Sequence, residues 1–231
     1  DRRFLNPLYL HLPWCEDFST EAVCTLMSTN DFQSALFVAR ENTDVDYSAV
    51  AAMKMQVLQL MYEALCKRST EDAVYLEFQS FVQSAGKQLS SFAHFQASRY
   101  GDEESVRTDP VFHCFLQWQT QAQLQQCQQY ALEQGLGIGL IQDLAVGSIT
   151  DGSEVQTNLS LFCLNARIGA PPDYFNPDGQ NWGLPPLLPD SLARTCSQHV
   201  RLLLQANMRT CGALRIDHVM SLMRLWWCPD D

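Results

Sequence analysis

The chain has 231 residues, 46% of them hydrophobic, enough apolar surface for one domain and a subdomain and too much for a disordered tract. A net charge of −11 argues against nucleic acid or an anionic membrane surface as partner, since both need clustered Lys and Arg. No apolar run approaches the ~20 residues of a spanning helix, and no amino-terminal signal pattern is visible. The 9 cysteines, scattered and without a CxxC pair, read as reduced, mostly buried thiols of a cytoplasmic protein.

In chain order, PLYLHLPW (Pro7–Trp14) mixes alternation with a proline stop and predicts a first strand. Two short helices follow over Glu21–Met27 and Asp31–Arg40, each opened by Ser, Thr, Asn or Asp. Tyr47–Arg68 is a strong helix with Val50, Met53, Val57, Leu60, Met61, Ala64 and Leu65 on one stripe, the methionines serving as core filler. Ser69 and Asp72 start a helix to about Gln88, and Ser90–Arg99 forms another. The charged turn GDEESVRTDP (Gly101–Pro110) leads into a long helix over Val111–Gln134. There Phe112, Phe115, Leu116, Leu124, Cys127, Ala131 and Leu132 keep helical spacing, leaving the many glutamines on the solvent face. Ile138–Val146 is nearly all apolar, as a strand covered on both faces is. Leu159–Asn165 reads as a short helix, and Ser191–Thr210 as a helix feeding a last strand. This order predicts an α/β barrel segment with a helical insertion, divided as a strand over 1–14, a helical subdomain over 15–135 and further strands over 136–231.

The last strand lies in CGALRIDHVMSLMRLWW (Cys211–Trp227). Residues two apart on a strand face the same way, so Arg215 and Asp217 point together while Leu214 and Ile216 point away. Such a pair in a strand expected to be buried is unusual, because ionised groups are rarely buried unless paired. An ionised, oriented carboxylate suits a nucleophile in glycosyl transfer, although most Arg-x-Asp strands are structural ion pairs. Upstream, GAPPDYFNPDGQNWGLPP (Gly169–Pro186) carries prolines and glycines that break regular structure, yet also Tyr174, Phe175 and Trp182. Those rings either tuck beneath the loop or form a platform for the flat face of a sugar, with Asp173, Gln180 and Asn181 addressing its hydroxyls. His11, His94, His113 and His199 have no ligand spacing, and no metal site is implied.

These stretches, with GLIQDLAVGSITDGSEV (Gly139–Val155), the opening RRFLNPLYLHL and the DVDYSAVAAMKMQVLQ helix, resemble the bacterial 4-alpha-glucanotransferases (amylomaltases) of glycoside hydrolase family seventy-seven. Residues 69–104 match only loosely. The resemblance implies a partial (β/α)8 TIM barrel of the alpha-amylase type with an inserted helical subdomain. It also implies a retaining transfer, with Asp217 as nucleophile, Arg215 as its positioner and His218 on the sugar at the cleavage point. Trp182 and Gln180 fall on substrate-contacting positions, Tyr174 and Phe175 on a mobile loop over the cleft, and Asp151 on a sugar-contacting carboxylate; Asp173 is either a contact or a turn cap. The implied donor is a maltooligosaccharide or alpha-1,4-glucan and the acceptor glucose or maltodextrin, with no cofactor.

One departure stands beside the matches. A retaining mechanism needs a second carboxyl about 5 Å from the first. The family's Gly-Glu-Asp and Thr-His-Asp motifs, which carry its acid/base and transition-state carboxylates, do not occur here, nor does its early Ser-Pro-Tyr region. Asp143, Glu133 and Glu154 are nominal substitutes for the acid/base. Because a closed eight-fold barrel needs roughly 250 residues, the expectation is an internal piece of a longer enzyme. The alternative is a short glucan-binding protein that kept the aromatic loop and lost catalysis.

Overall fold

Residues 1–101, 105–195 and 197–230 are described by a computed structural model. By internal contacts the chain forms two units, Leu5–Leu124, and Asp1–Phe4 together with Gln125–Asp231. The turn expected over Gly101–Pro110 lies partly outside the described residues, and Cys196 wholly so.

The Leu5–Leu124 unit is helical: α1 (Glu21–Met27), α2 (Asn30–Glu41), α3 (Tyr47–Cys66), α4 (Ala73–Ser98) and α5 (Pro110–Glu133) as far as Leu124. Side-chain oxygens of Thr29, Asp46 and Asp72 accept from free amides of the first turns of α2, α3 and α4, which is why these helices begin where they do. Of the stripe read over Tyr47–Arg68, Val57, Met61 and Leu65 are buried while Val50, Met53, Leu60 and Ala64 are half-buried, and Leu58 and Tyr62, outside the stripe, are buried beside it. Aromatic rings continue that core, with Tyr62 and Phe112 centroids 5.4 Å apart and Phe78 and Trp118 5.5 Å apart. The break expected near Gln88 falls at Gly86, whose φ of 58° and ψ of −145° separate α4 into two helical stretches.

Two expectations fail here for one reason. Pro7–Trp14 is not a strand but two 3₁₀ turns, Pro7–Tyr9 and Leu12–Trp14, joined by extended backbone at Leu10 and His11. The glutamines of α5 do not all face solvent, since Gln117, Gln119 and Gln123 are buried. Each observation explains the other. The Gln117 amide accepts from Leu5 N at 2.9 Å and donates to Leu5 O at 2.8 Å. Gln123 does the same for His11, at 2.8 Å in both directions. Lys54 Nζ donates to Leu8 O and Leu10 O at 2.6 and 2.7 Å. Side chains thus meet backbone groups that a neighbouring strand would otherwise have to satisfy.

The other unit contains β1 (Ile141–Leu144), α6 (Ser153–Gln156), β2 (Ala166–Ala170), β3 (Gln180–Leu184), α7 (Pro189–Arg194), α8 (Gln198–Met208), β4 (Ala213–Ile216) and β5 (Trp226–Pro229). β1 and β4 pair in parallel, from Ile141 opposite Ala213 to Leu144 opposite Ile216. β2 lies between β3 and β5 and is antiparallel to both. Gly212 admits the chain to β4, because a Cβ there would sit 1.7 Å from Ile138 O. β1 is not covered on both faces as expected. Leu144 is buried but Ile141 is 63% exposed, since β4 is the strand paired with β1 and α8 packs on one side.

Gly169–Pro186 is likewise more regular than its composition predicts. It spans the end of β2, a tip over residues 171–179, and β3, with Ala170 opposite Gln180. Its prolines fall in the tip or after β3, where no ladder amide is needed. Gly169 lets the two strands close, because a Cβ there would lie 1.9 Å from Gln180 O. The single helix expected over Ser191–Thr210 is two, α7 and α8, parted at Ser197 with a φ of 54°. The eight described cysteines are free thiols, but only Cys15 and Cys114 are buried, so the expectation of mostly buried thiols is corrected. No helix is long and apolar enough to cross a membrane among the described residues.

Candidate functional site

Asp217 is the first residue beyond β4, and its amide donates to Leu144 O at 3.1 Å, tying it to the end of β1. This is the carboxyl end of a parallel strand pair, where α/β folds place chemistry. The strand was expected to bury its charges, and it does not. The Arg215 side chain is 66% exposed and that of Asp217 45% exposed, because alternate residues of β4 send Ile216 toward α8 and Arg215 to the open face. Arg215 Nη2 stands 3.6 Å from Asp217 Oδ1, but its Nε is closer to Asp143 Oδ1, at 2.9 Å. Asp143 sits directly opposite Arg215 in the parallel register. One guanidinium therefore bridges two carboxylates on adjacent strand ends. Sequence reasoning missed Asp143 as the partner of Arg215, and no local pattern could supply it, since the pairing of β1 with β4 sets the contact.

His218 follows with a left-handed φ of 49°, which turns the chain sharply out of β4. Its ring lies 4.6 Å from that of Trp182, at a 36° tilt. Trp182 in turn donates from Nε1 to Gln180 Oε1 at 3.0 Å. The structure thus brings Trp182, Gln180 and His218 together, from elements far apart in sequence. Tyr174 and Phe175 stand at the hairpin tip, 92% and 86% exposed, their rings edge to face at 5.5 Å. They do not tuck beneath the loop. Asp173 accepts from Phe175 N and Asn176 N at 2.8 and 2.7 Å and caps the tip turn, and Asn181 accepts from Gly183 N at 2.9 Å. Asp151 is exposed in the turn ahead of α6, and among the described residues it shares no hydrogen bond or ring contact with the others.

Of the nominal acid/base substitutes, Glu154 is ruled out by its surroundings. Its side chain is fully buried and accepts from Arg2 N, Arg2 Nε and Nη2, Ser148 Oγ and His199 Nε2. Burial alone pushes such a carboxyl up, but the hydrogen bonds of His199, Arg2 and Ser148 and the Arg2 charge outweigh it and hold Glu154 well below the ordinary 4.5. Glu133 is on α5 and accepts from Gln129 at 3.0 Å. Asp217 lines a cavity of about 270 Å³ together with Leu144, Ile216, Leu203, Trp227 and the arginines Arg2 and Arg224. Among the described residues no three His, Cys, Asp or Glu side chains converge as a metal site.

The sequence matches the family profile described as 4-alpha-glucanotransferase, glycoside hydrolase family 77, over residues 1–109 and 101–231. The chain belongs to this family. It is 32% identical to the 4-alpha-glucanotransferase of Haemophilus influenzae over 263 aligned residues, covering 99% of this chain and 38% of that protein. With the Mycobacterium tuberculosis 4-alpha-glucanotransferase the identity is 34%, over 99% of this chain and 34% of the relative. The chain thus spans about a third of the length of these relatives. Its fold superposes on the crystal structure of amylomaltase from Corynebacterium glutamicum with a TM-score of 0.87 and 32% identity, covering 99% of this chain and 33% of that one. A 4-alpha-glucanotransferase-family chain with this likeness has the expected class, part of an α/β barrel of the TIM type with an inserted helical subdomain.

Proposed function

We propose that this chain carries the nucleophile side of a 4-alpha-glucanotransferase that moves alpha-1,4-glucan segments from a maltooligosaccharide donor to glucose or a maltodextrin. The observation that supports it is a half-exposed carboxylate, Asp217, at a parallel strand end, beside Arg215 and next to the His218–Trp182 ring pair. Asp217 attacks the anomeric carbon, the glycosidic C–O bond breaks, and a covalent glycosyl-enzyme forms with the leaving oxygen taking a proton from an acid. An acceptor hydroxyl then replaces Asp217, giving its proton to the same group as base.

In this reading Arg215 holds Asp217, while Asp143 holds Arg215 from the other side. His218, Trp182 and Gln180 contact the sugar at the cleavage point, Tyr174 and Phe175 stack on glucose rings from the hairpin tip, and Asp151 and Asp173 are peripheral sugar contacts. Asp143 is engaged by Arg215, Glu154 by Arg2 and His199, and Glu133 by Gln129, so the reading assigns the acid/base role to none of these three. It requires no cofactor.

The test is incubation of the complete gene product with maltotriose, followed by separation of the oligosaccharides. A ladder of longer maltodextrins with released glucose is expected, and Asp217→Asn should abolish the ladder while maltodextrin still binds. Binding without any ladder in the unsubstituted protein would instead favour a non-catalytic glucan-binding role that uses the exposed Tyr174 and Phe175.

A further inference from the structure

The buried acid Glu154 is not used by the proposed transfer chemistry, yet it organises Arg2, which bonds the backbone just past β1. Arg2 uses its backbone amide, Nε and Nη2 on the Glu154 carboxylate, the closest contact being 2.6 Å. Its remaining nitrogen, Nη1, donates to Ala145 O at 3.1 Å and Val146 O at 3.2 Å, the two carbonyls just past β1. The preceding carbonyl, Leu144 O, is the one that accepts from the Asp217 amide. Asn207 of α8, the helix that feeds β4, donates to Arg2 O at 2.8 Å. Arg2 therefore connects the exit of β1 with the helix before β4, and it shares the cavity wall with Asp217.

We infer that Arg2, oriented by Glu154, is a positioning residue for Asp217: it fixes the backbone of Ala145 and Val146 directly after Leu144, the β1 residue to which the Asp217 amide is bonded, and so sets where the carboxylate stands. The inference rests on the transferase reading. A guanidinium suits this role because its planar fork serves a carboxylate on one edge and carbonyls on another, which a single ammonium cannot do at once. Arg2 touches no reacting atom; it acts through the carbonyls of Ala145 and Val146, which follow directly on Leu144.

The decisive variant is Arg2→Met with Glu154→Gln in the complete gene product, which removes both charges together, so that neither Arg2 nor Glu154 is left buried as an ion without the other, and keeps an amide oxygen to accept from His199. The probe is alpha-maltosyl fluoride, whose fluoride burst counts functional nucleophiles and whose rate reports glycosyl-enzyme formation. Expected are a folded protein by circular dichroism, a full burst of one fluoride per chain, glycosylation slowed roughly ten- to a hundredfold, and KM within about twofold. A merely structural role would lower burst amplitude in step with the folded fraction and leave the rate of the surviving sites unchanged, and that result overturns the inference. If the double variant does not fold, Arg2→Lys carries the test: a slower burst at unchanged KM supports it and an unchanged rate overturns it. Absence of any burst from the unsubstituted protein, with Asp217→Asn indistinguishable from it, overturns the transferase reading and this inference with it.

Discussion

Two arginine–carboxylate clusters in the same unit use the same chemical groups to opposite ends. Around Glu154 the acid is wholly enclosed, and every oxygen is met by Arg2, Ser148 or His199. Around Arg215 both acids remain about half exposed, the guanidinium reaching Asp143 closely and Asp217 only at 3.6 Å. A buried ion with all its partners is committed, since moving any of them leaves a charge without water or counterion. An open one can exchange partners. The difference teaches that here the charge most deeply built into the fold supports the frame, while the candidate nucleophile keeps access to solvent and substrate.

The comparison can be broken most decisively at Asp217. Asp217→Asn in the complete gene product should cut turnover at least about ten-thousandfold, while urea unfolding shifts by no more than about 0.5 kcal/mol, as for other partly exposed positions. Glu154→Ala should do the reverse, costing about 3–5 kcal/mol in the same denaturation experiment by leaving Arg2 and His199 facing a void. If the two variants gave similar unfolding curves, the contrast between the clusters would be wrong.

Acid titration sharpens the point. The Glu154 carboxyl is held below its ordinary value in the folded protein, so its stabilising contribution is complete above 4.5 and is lost progressively as pH falls below that toward the depressed folded value. Unfolding free energy measured from pH 7 downward should fall more gently in Glu154→Gln, which has no proton to take up, and an unchanged acid limb would contradict the assignment. Asp143→Asn should slow glycosylation about tenfold by freeing Arg215, with a stability change below about 1 kcal/mol because the pair is exposed. Smallest of all, replacing both Tyr174 and Phe175 by Ala should weaken maltodextrin binding by about 0.5–1.5 kcal/mol per ring in calorimetry. The thermal midpoint should stay in place, since both rings stand in solvent.

The clusters also differ in how far they could be read from sequence. Arg215, Asp217 and His218 are contiguous, and the strand period alone sets the first two on one face. Trp182 is visible as a large aromatic out of place in a proline-rich stretch, but that it shares a face of β3 with Gln180 follows only from the hairpin. By contrast Arg2 and Glu154 are 152 residues apart, and nothing in RRF or GSEV announces that they meet. Helix positions were legible because apolar spacing and caps are local, so α1 and α3 begin at the residues expected. Pro7–Trp14 was misread because alternation resembles a strand whether its backbone is satisfied by a ladder or by side chains. The glutamines of α5 were misread for the complementary reason, since a polar residue says nothing about whether it faces water or an unsatisfied peptide group.

Those glutamine clasps impose an order in time. Gln117 and Gln123 lie 112 residues after the Leu5 and His11 peptides they hold, whereas Lys54 follows Leu8 and Leu10 by only 46 and 44. At the ~5–20 residues per second of ribosomal synthesis, the lysine is available after several seconds and the amides only after roughly 6–20 seconds. Until residues 117 and 123 have been synthesised, the Leu5 and His11 peptides lack the two amides that hold them in the folded protein, whereas the Lys54 partner of Leu8 and Leu10 already exists.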